Sequence, residues 1–99
     1  MEKLYTIDEI KRISVPIAKR YGVQKLALFG SYARGDAKPG SDIDFLIEKG
    51  EVRDYYVFYG FVHALEDDLG IDIDVVTYDS LKQSLIGDVA DEEVVLYEG

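Results

Sequence analysis

The alternation of apolar and polar positions divides the chain into helical and extended segments. In the first segment four isoleucines recur on one helical face, and the basic residues lie elsewhere: Ile7, Ile10, Ile13 and Ile17. Thr6 and Glu9 match a capping box, so we expect an amphipathic helix that starts there and stops at Gly22. Pro16 removes one helical hydrogen bond, which predicts a kink or a restart near Val15.

Short apolar segments predict the strands. Residues 26–29 are apolar throughout and precede a Gly-Ser pair, which is typical of a buried strand that runs into a tight turn. Residues 42–48 and 71–77 alternate between an apolar face and a face that carries aspartates. Residues 94–97 are also apolar, and we expect a short strand or extended segment that pairs at a sheet edge or with another chain.

Helical spacing returns in the second half of the chain. Between Asp54 and Gly70 the apolar residues recur on one face: Phe58, Phe61, Val62, Leu65 and Leu69. Asp79 and Ser80 are placed to cap a further helix. Its apolar residues would be Leu81, Leu85, Ile86 and Val89. With one helical turn expected over residues 32–35, the order of elements predicts an α+β fold of two layers, in which helices pack against one small mixed sheet.

Length and composition are those of an ordinary globular protein. With 99 residues, 47% of them hydrophobic and 31% charged, we expect a single domain over residues 1–99. No apolar run approaches about 18 residues and no basic leader precedes an apolar segment, so neither a membrane span nor a secretory signal is expected. The cytoplasm is the expected location. Because the chain has no cysteine, a metal would be bound by oxygen ligands or by His63.

The charge balance bears on the choice of partner. Eleven basic residues against twenty acidic ones give a net charge of −9. Proteins bind nucleic acid largely by placing Lys and Arg against its phosphates, so this charge argues against duplex DNA or long RNA. It is compatible with a basic protein, and with a nucleotide whose charge is neutralised by a divalent ion.

The residues with the clearest chemistry lie at the first predicted strand and after it. Gly30 and Ser31 follow that strand, and such a turn can bring backbone N–H groups and a hydroxyl close to a phosphate. Ten residues further on, Asp42 and Asp44 lie two apart, so their carboxylates share one face of a strand. Asp74 interrupts another apolar strand and adds a third carboxylate.

These carboxylates predict a cation. Two ionised carboxylates about 4 Å apart repel each other by roughly 4 kcal/mol at an effective dielectric of about 20. Mg²⁺ relieves such repulsion, because it takes oxygen ligands and is usually held by one or two carboxylates together with substrate phosphates. Together with the Gly-Ser turn, the acids indicate metal-assisted transfer of a phosphoryl or nucleotidyl group.

The same motifs resemble a known family. The likeness lies in residues 29–35 (FGSYARG), 41–46 (SDIDFL), 74–77 (DVVT) and 80–81 (SL). In this order and spacing they are similar to the minimal nucleotidyltransferase (MNT) proteins of the DNA polymerase β-type nucleotidyltransferase superfamily. The resemblance covers nearly the whole chain and implies the polymerase β palm-like fold.

The resemblance implies roles for individual residues. In that family two clustered acids bind Mg²⁺, and a third completes the metal site and helps activate the attacking hydroxyl. Here these acids would be Asp42, Asp44 and Asp74. Gly30 and Ser31 would hold the nucleotide phosphates, and Arg34 would add a phosphate contact. The implied reaction is attack of an acceptor hydroxyl on the α-phosphorus of ATP, which gives an AMP adduct and pyrophosphate.

The family also implies a partner. Minimal nucleotidyltransferases are commonly paired with a helical HEPN-domain protein, often as the antitoxin of an RNase toxin, and some adenylylate a tyrosine on it. Because 99 residues leave no room for a further acceptor-binding domain, we expect the acceptor on another molecule. A non-catalytic antitoxin that neutralises its partner by contact is the main alternative, and a small-molecule adenylyltransferase is less favoured. A homo-oligomer is a further possibility.

Several candidate residues also have structural interpretations. Gly30 and Ser31 could form an ordinary turn, and Asp42 could cap a helix or strand. Asp72 shares the predicted face of Asp74 and competes with it for the third carboxylate. We choose Asp74 because it matches the family position and lies deeper in the apolar segment.

Arg34 could pair with Asp36 at the surface, which is worth about 0–1 kcal/mol. His63 lies off the apolar face of its helix and is expected at the surface. A group of aromatic residues on the same helix could face a partner or pack within the chain: Tyr55, Tyr56 and Tyr59.

Overall fold

The computed structural model describes residues 4–52, 54–79 and 93–99. Helices and strands follow one another in the order α1 (Ile7–Tyr21), β1 (Lys25–Phe29), α2 (Gly30–Arg34), β2 (Ile43–Glu48), α3 (Tyr55–Leu69), β3 (Ile73–Thr77) and β4 (Val94–Glu98). Among these residues, none of the helices has the length and apolarity that crossing a membrane requires.

The strands form one mixed sheet in the order β3-β2-β1-β4. β1 pairs antiparallel with both β2 and β4, whereas β2 and β3 run parallel. The segment expected to pair at a sheet edge or with another chain is β4, and it pairs with β1 at one edge of the sheet. The small mixed sheet and the α+β class predicted from the sequence are confirmed.

α1 begins and ends as its sequence predicts. The hydroxyl of Thr6 accepts a hydrogen bond from the Glu9 amide at 3.1 Å, and the Glu9 carboxylate accepts one from the Thr6 amide at 2.8 Å. Gly22 ends the helix in the left-handed conformation, with φ 77°. Of the kink or restart predicted near Val15, the restart is wrong, because α1 continues through Pro16 as one helix. Pro16 is exposed, so the carbonyl group that loses its helical donor can be hydrated.

The core lies between the helices and one face of the sheet. Its largest buried side chains come from α1, α3 and the two central strands: Ile10, Leu26, Leu28, Ile43, Phe45, Ile47, Phe61, Leu65 and Leu69. Tyr21 and Phe61 join α1 to α3 in an edge-to-face contact with ring centroids 6.0 Å apart. α3 begins where the sequence predicts a helix, after Asp54, whose carboxylate accepts a hydrogen bond from the Val57 amide at 2.9 Å, and it ends at Gly70. The helices and the sheet thus form the two predicted layers.

Element boundaries differ from the predicted ones by a few residues. β2 and β3 begin later than expected, at Ile43 and Ile73, and β1 begins one residue earlier, at Lys25. The helical turn predicted over residues 32–35 is α2, which starts directly after β1. It ends at Gly35, where the carbonyl of Ser31 accepts hydrogen bonds from the amides of Gly35 and Asp36. The helix predicted after Asp79 and Ser80, with Leu81, Leu85, Ile86 and Val89, lies outside the described residues.

Candidate active site

The turn between β1 and α2 lies directly against one of the candidate carboxylates. Phe29, the last residue of β1, pairs with Asp44 of β2. The next residue, Gly30, has φ +72°, a conformation that side chains with a Cβ rarely adopt. A Cβ atom at Gly30 would lie only 2.3 Å from Asp44 Oδ2. Both the backbone conformation and the close approach of Asp44 therefore require glycine here.

The parallel pairing of β2 and β3 brings two of the candidate acids together. Asp44 and Asp74 are register partners on these neighbouring strands. Asp42 lies just before β2 and is exposed, as is Asp74, whereas Asp44 is half-buried. One end of the sheet therefore holds Asp42, Asp44 and Asp74 next to Gly30 and Ser31.

The crowding of these acids is visible in the ionisation of Asp44. Its pKa is raised to about 6, first by burial and then by the negative charges of Asp74 and Asp42. A hydrogen-bonding contact with Asp74 also favours the protonated form, and the positive charge of Arg34 partly offsets these effects. The repulsion inferred from the sequence is therefore present in the fold.

The donor set suits a hard divalent cation. Every candidate ligand is a carboxylate oxygen, and Mg²⁺ is usually held by one or two carboxylates with waters and substrate phosphates in its other positions. In the part of the chain that the structure describes, no three His, Asp or Glu side chains are already gathered around a common metal position. The adjacent pair of Asp44 and Asp74, with Asp42 nearby, thus fits a cation that is completed by a substrate.

The structure separates Asp74 from its rival. Asp72 precedes β3, and its carbonyl accepts a hydrogen bond from the Ile43 amide at 3.2 Å. Asp74 affects the pKa of Asp44, whereas Asp72 is not among the groups that do so. Of the two candidates, Asp74 is the one that β3 places beside Asp44.

Arg34 ends α2 and forms the pair with Asp36 that the sequence suggested. Its Nε lies 3.2 Å from Asp36 Oδ2, and the two side chains are 45% and 61% exposed. Its charge also lowers the pKa of Asp44, so the guanidinium lies within electrostatic reach of the acids. His63, by contrast, is a surface residue as predicted: its side chain is 72% exposed and its Nδ1 lies 3.4 Å from Glu66.

Tyr32 anchors the turn, a role that the sequence did not reveal. Its side chain is 3% exposed, and its hydroxyl accepts a hydrogen bond from the Tyr5 amide at 3.4 Å. The hydroxyl of Tyr5 in turn donates to the carbonyl of Leu69 at the end of α3. α2 has only five residues, too few to show the helical periodicity that identifies a buried face.

One cavity among the described residues does not include the candidate carboxylates. That cavity has a volume of about 280 Å³ and lies at the opposite ends of β2 and β3. It is lined by Ile47, Glu48, Lys49, Thr77, Tyr78 and Asp79. With Asp42 and Asp74 exposed, the candidate active site is an open surface that another molecule can approach.

Comparison with known proteins identifies the family to which this chain belongs. The Nucleotidyltransferase domain family matches residues 10–96. The chain is 41% identical over 88 residues to a protein of Methanocaldococcus jannaschii named as a candidate protein adenylyltransferase. This alignment covers 89% of this chain and 95% of that protein. The chain is 35% identical over 95 residues to the protein adenylyltransferase MntA of Thermococcus cleftensis, covering 92% of this chain and 96% of MntA.

Solved structures agree with this assignment. One, described as a minimal nucleotidyltransferase, has a TM-score of 0.77 and 30% identity, covering 90% of this chain and 91% of that chain. A second is a chain of the complex between the tri-AMPylated Shewanella oneidensis HEPN toxin and its MNT antitoxin. It shares the fold with a TM-score of 0.69 and 20% identity, over 93% of this chain and 72% of that chain. The chain therefore belongs to the nucleotidyltransferase family, as an enzyme of its minimal branch that is similar to protein adenylyltransferases.

Proposed function

We propose that this chain transfers AMP from ATP to a tyrosine hydroxyl of a HEPN-type toxin, in a reaction that requires Mg²⁺, and thereby acts as the antitoxin. The single observation that carries this proposal is the register pairing of Asp44 with Asp74 beside the Gly30 turn. The protein adenylyltransferases among its relatives, and the AMPylated HEPN toxin in a complex with a similar fold, support AMP as the group transferred and a toxin as the acceptor. Residues 1–99 would act as one domain, in the cytoplasm.

Each candidate residue receives a role in this reaction. Gly30 and Ser31 contact the phosphates of ATP, because the turn at Gly30 leaves no side chain between its backbone and Asp44. Arg34 adds a positive charge on the same side. The metal ligands would be Asp42, Asp44 and Asp74. Bound there, Mg²⁺ would supply positive charge that neutralises the phosphates and favours departure of pyrophosphate.

In this reaction the residues of the chain would accept one proton from the acceptor hydroxyl and orient its attack on the α-phosphorus of ATP. The tyrosine oxygen of the acceptor forms a bond to the α-phosphorus of ATP, and the bond from that phosphorus to the oxygen shared with the β-phosphorus breaks. Pyrophosphate leaves, and the phenolic proton passes to the carboxylate of Asp74, which is exposed and so within reach of an incoming hydroxyl. Asp44 is fixed by its place in β2 and, as a ligand of Mg²⁺, would help to orient the reacting phosphate toward the acceptor.

The open site explains why the acceptor would belong to another molecule. The carboxylates lie at an exposed end of the sheet, and the cavity of about 280 Å³ lies at the other end. A small-molecule acceptor would need an enclosing pocket to be held and oriented. A protein acceptor brings its own surface, so it can present a hydroxyl to an open site.

The test is to incubate the chain with Mg²⁺, ATP and the HEPN-domain protein encoded by the neighbouring gene, and to weigh the intact partner by mass spectrometry. We expect a gain of one or more AMP units per partner molecule, located on tyrosine, and loss of this gain with Asp44→Asn. If the partner is inhibited but its mass is unchanged, the chain neutralises by contact and the proposal is wrong. Undiminished transfer by Asp44→Asn would show that the acids are not the metal site.

A further inference from the structure

The first half of α3 carries exposed aromatic side chains that the proposed chemistry does not use. Three of them are 76%, 91% and 55% exposed: Tyr55, Tyr56 and Tyr59. The other side of α3 faces the core through Phe61, Leu65 and Leu69. Packing within the described part of the chain therefore does not account for the tyrosines.

Neighbouring rings hold one another in place along this face. Tyr55 and Tyr59, one helical turn apart, stack with centroids 6.0 Å apart and an angle of 24° between the rings. Tyr59 and His63 continue the row at 6.5 Å and 34°. We call Tyr55, Tyr56, Tyr59 and His63 the aromatic stripe. Each tyrosine can bury about 150–250 Å², and exposed apolar patches of roughly 300–600 Å² often mark interaction sites.

The C-terminal end of the aromatic stripe is acidic. His63 Nδ1 lies 3.4 Å from Glu66 Oε1, and Asp67 follows His63 by one helical turn. α3 itself contains no Lys or Arg. Within the described residues, Lys and Arg side chains lie over the rings of Tyr21, Tyr78 and Tyr97, and none of the described ones lies over a stripe tyrosine.

We propose that the aromatic stripe, with Glu66 and Asp67 at its C-terminal end, is a docking surface for a protein partner that presents arginine side chains. A guanidinium group stacks on tyrosine rings and also forms paired hydrogen bonds with carboxylates, so one kind of residue suits both parts of the surface. A nucleic acid or an anionic membrane would be repelled by the carboxylates. A second copy of this chain would bring acidic side chains against acidic side chains.

The aromatic stripe lies away from the candidate active site. α3 starts at Tyr55 and ends at Leu69, shortly before β3, which carries Asp74 near its beginning. At 1.5 Å per residue, Tyr55 lies about 20 Å along α3 from the end that leads to β3. The tyrosines are therefore separate from the carboxylates of the candidate active site, and Glu66 and Asp67 lie between the two along the helix. The inference rests on the proposed function only in taking this partner to be the acceptor protein.

The test measures binding of the neighbouring gene's HEPN-domain protein by calorimetry, using the full chain at two salt concentrations. The variant Tyr55→Ser/Tyr56→Ser/Tyr59→Ser should bind at least about tenfold more weakly. The variant Glu66→Lys/Asp67→Lys should also bind more weakly, with a smaller response to salt. The matched control is Leu4→Ser, since Leu4 is another hydrophobic residue with a 51% exposed side chain, and it should bind normally.

Thermal unfolding of each variant shows that folding is retained; should the triple variant be destabilised, Tyr56→Ser replaces it, because Tyr56 is 91% exposed. Unchanged affinity of the stripe variants, or no binding of the partner by the parent chain, overturns the proposal. Weighing the partner in the same samples separates the two proposals. A partner that binds through the stripe yet gains no AMP contradicts the transfer reaction alone, and normal transfer and binding by the stripe variants contradict the docking surface alone.

Discussion

Gly30 is the residue on which the geometry of the candidate site depends most. Two independent observations require glycine at this position: its φ is +72°, and an added Cβ would lie 2.3 Å from Asp44 Oδ2. The tight turn at Gly30 was predicted, because a Gly-Ser pair after an apolar strand is a local sequence signal. Its contact with Asp44 was not predicted, since that contact depends on the antiparallel pairing of β1 with β2.

Gly30→Ala should therefore lower AMP transfer as well as the free energy of unfolding. Strain at a left-handed position costs about 1–3 kcal/mol, and displacement of the Asp44 carboxylate should lower AMP transfer by about 100-fold or more. Gly35→Ala is the matched control, because Gly35 has φ +83° and an added Cβ would meet no atom within 4 Å. Urea unfolding and initial transfer rates check this. Equal transfer by the two variants would contradict the role given to the Gly30 turn.

The raised pKa of Asp44 predicts how the stability of the metal-free protein depends on pH. The pKa is about 6 in the fold against an ordinary value of 3.8, so the folded state keeps a proton that the unfolded chain has already released. Stability from this group is complete below pH of about 4 and is lost as the pH rises through about 6. Unfolding in EDTA should show this fall, and Asp44→Asn should remove it. Stability that stays level or rises across this range in the parent chain would contradict the ionisation described here.

At the scale of elements, local contacts were predictable and long-range pairing was not. The caps at Thr6 and Asp54 could be identified because each side chain bonds an amide three residues away. Which of Asp72 and Asp74 approaches Asp44 depends on the parallel register of β2 and β3, whose strands are joined through α3. Alternation along one strand puts both acids on the same face, so the choice of Asp74 relied on the family position and on its depth in the apolar segment. The register shows which of the two acids lies beside Asp44.

A second long-range cluster joins three strands. The Tyr78 hydroxyl donates to the Glu93 carboxylate, and Lys25 Nζ lies 3.3 Å from Glu93 and 4.8 Å from the centre of the Tyr78 ring. Burial and the bond to Glu93 raise the pKa of Tyr78 to about 12, so the phenol remains a donor at neutral pH. The cluster thus links the end of β3 to the starts of β1 and β4.

Tyr78→Phe should loosen β4 while leaving the Lys25–Glu93 pair in place. Loss of this one hydrogen bond should lower the free energy of unfolding by about 1 kcal/mol and speed amide exchange in β4. Tyr97→Phe is the control, because it keeps the ring that lies 5.5 Å from Lys19 Nζ. Hydrogen exchange followed by mass spectrometry provides the measurement. Equal exchange of β4 in both variants would contradict the link between β3 and β4.

At the scale of the whole molecule, the chain has an open site at one end of the sheet and a separate acidic, aromatic helix face on α3. The family could be predicted because residues 29–46 contain the turn and two acids within one short segment, so their spacing can be read directly from the sequence. The exposure of the tyrosines on α3 could not be predicted, because aromatic residues recur at the same helical spacing on a buried face and on an exposed one. Both features, with a net charge of −9, are compatible with the proposed function, in which a second protein supplies the acceptor.

The central claim is that the pairing of β2 with β3 builds the transfer site by placing Asp74 beside Asp44. It is tested most directly by comparing Asp74→Asn with Asp72→Asn, two equal changes in charge two residues apart. Intact mass of the HEPN-domain partner after incubation with Mg²⁺ and ATP is the measurement. We predict that Asp74→Asn slows AMP transfer by about 100-fold or more and that Asp72→Asn transfers at nearly the parent rate. Normal transfer by Asp74→Asn, or equal loss in both variants, would contradict the account.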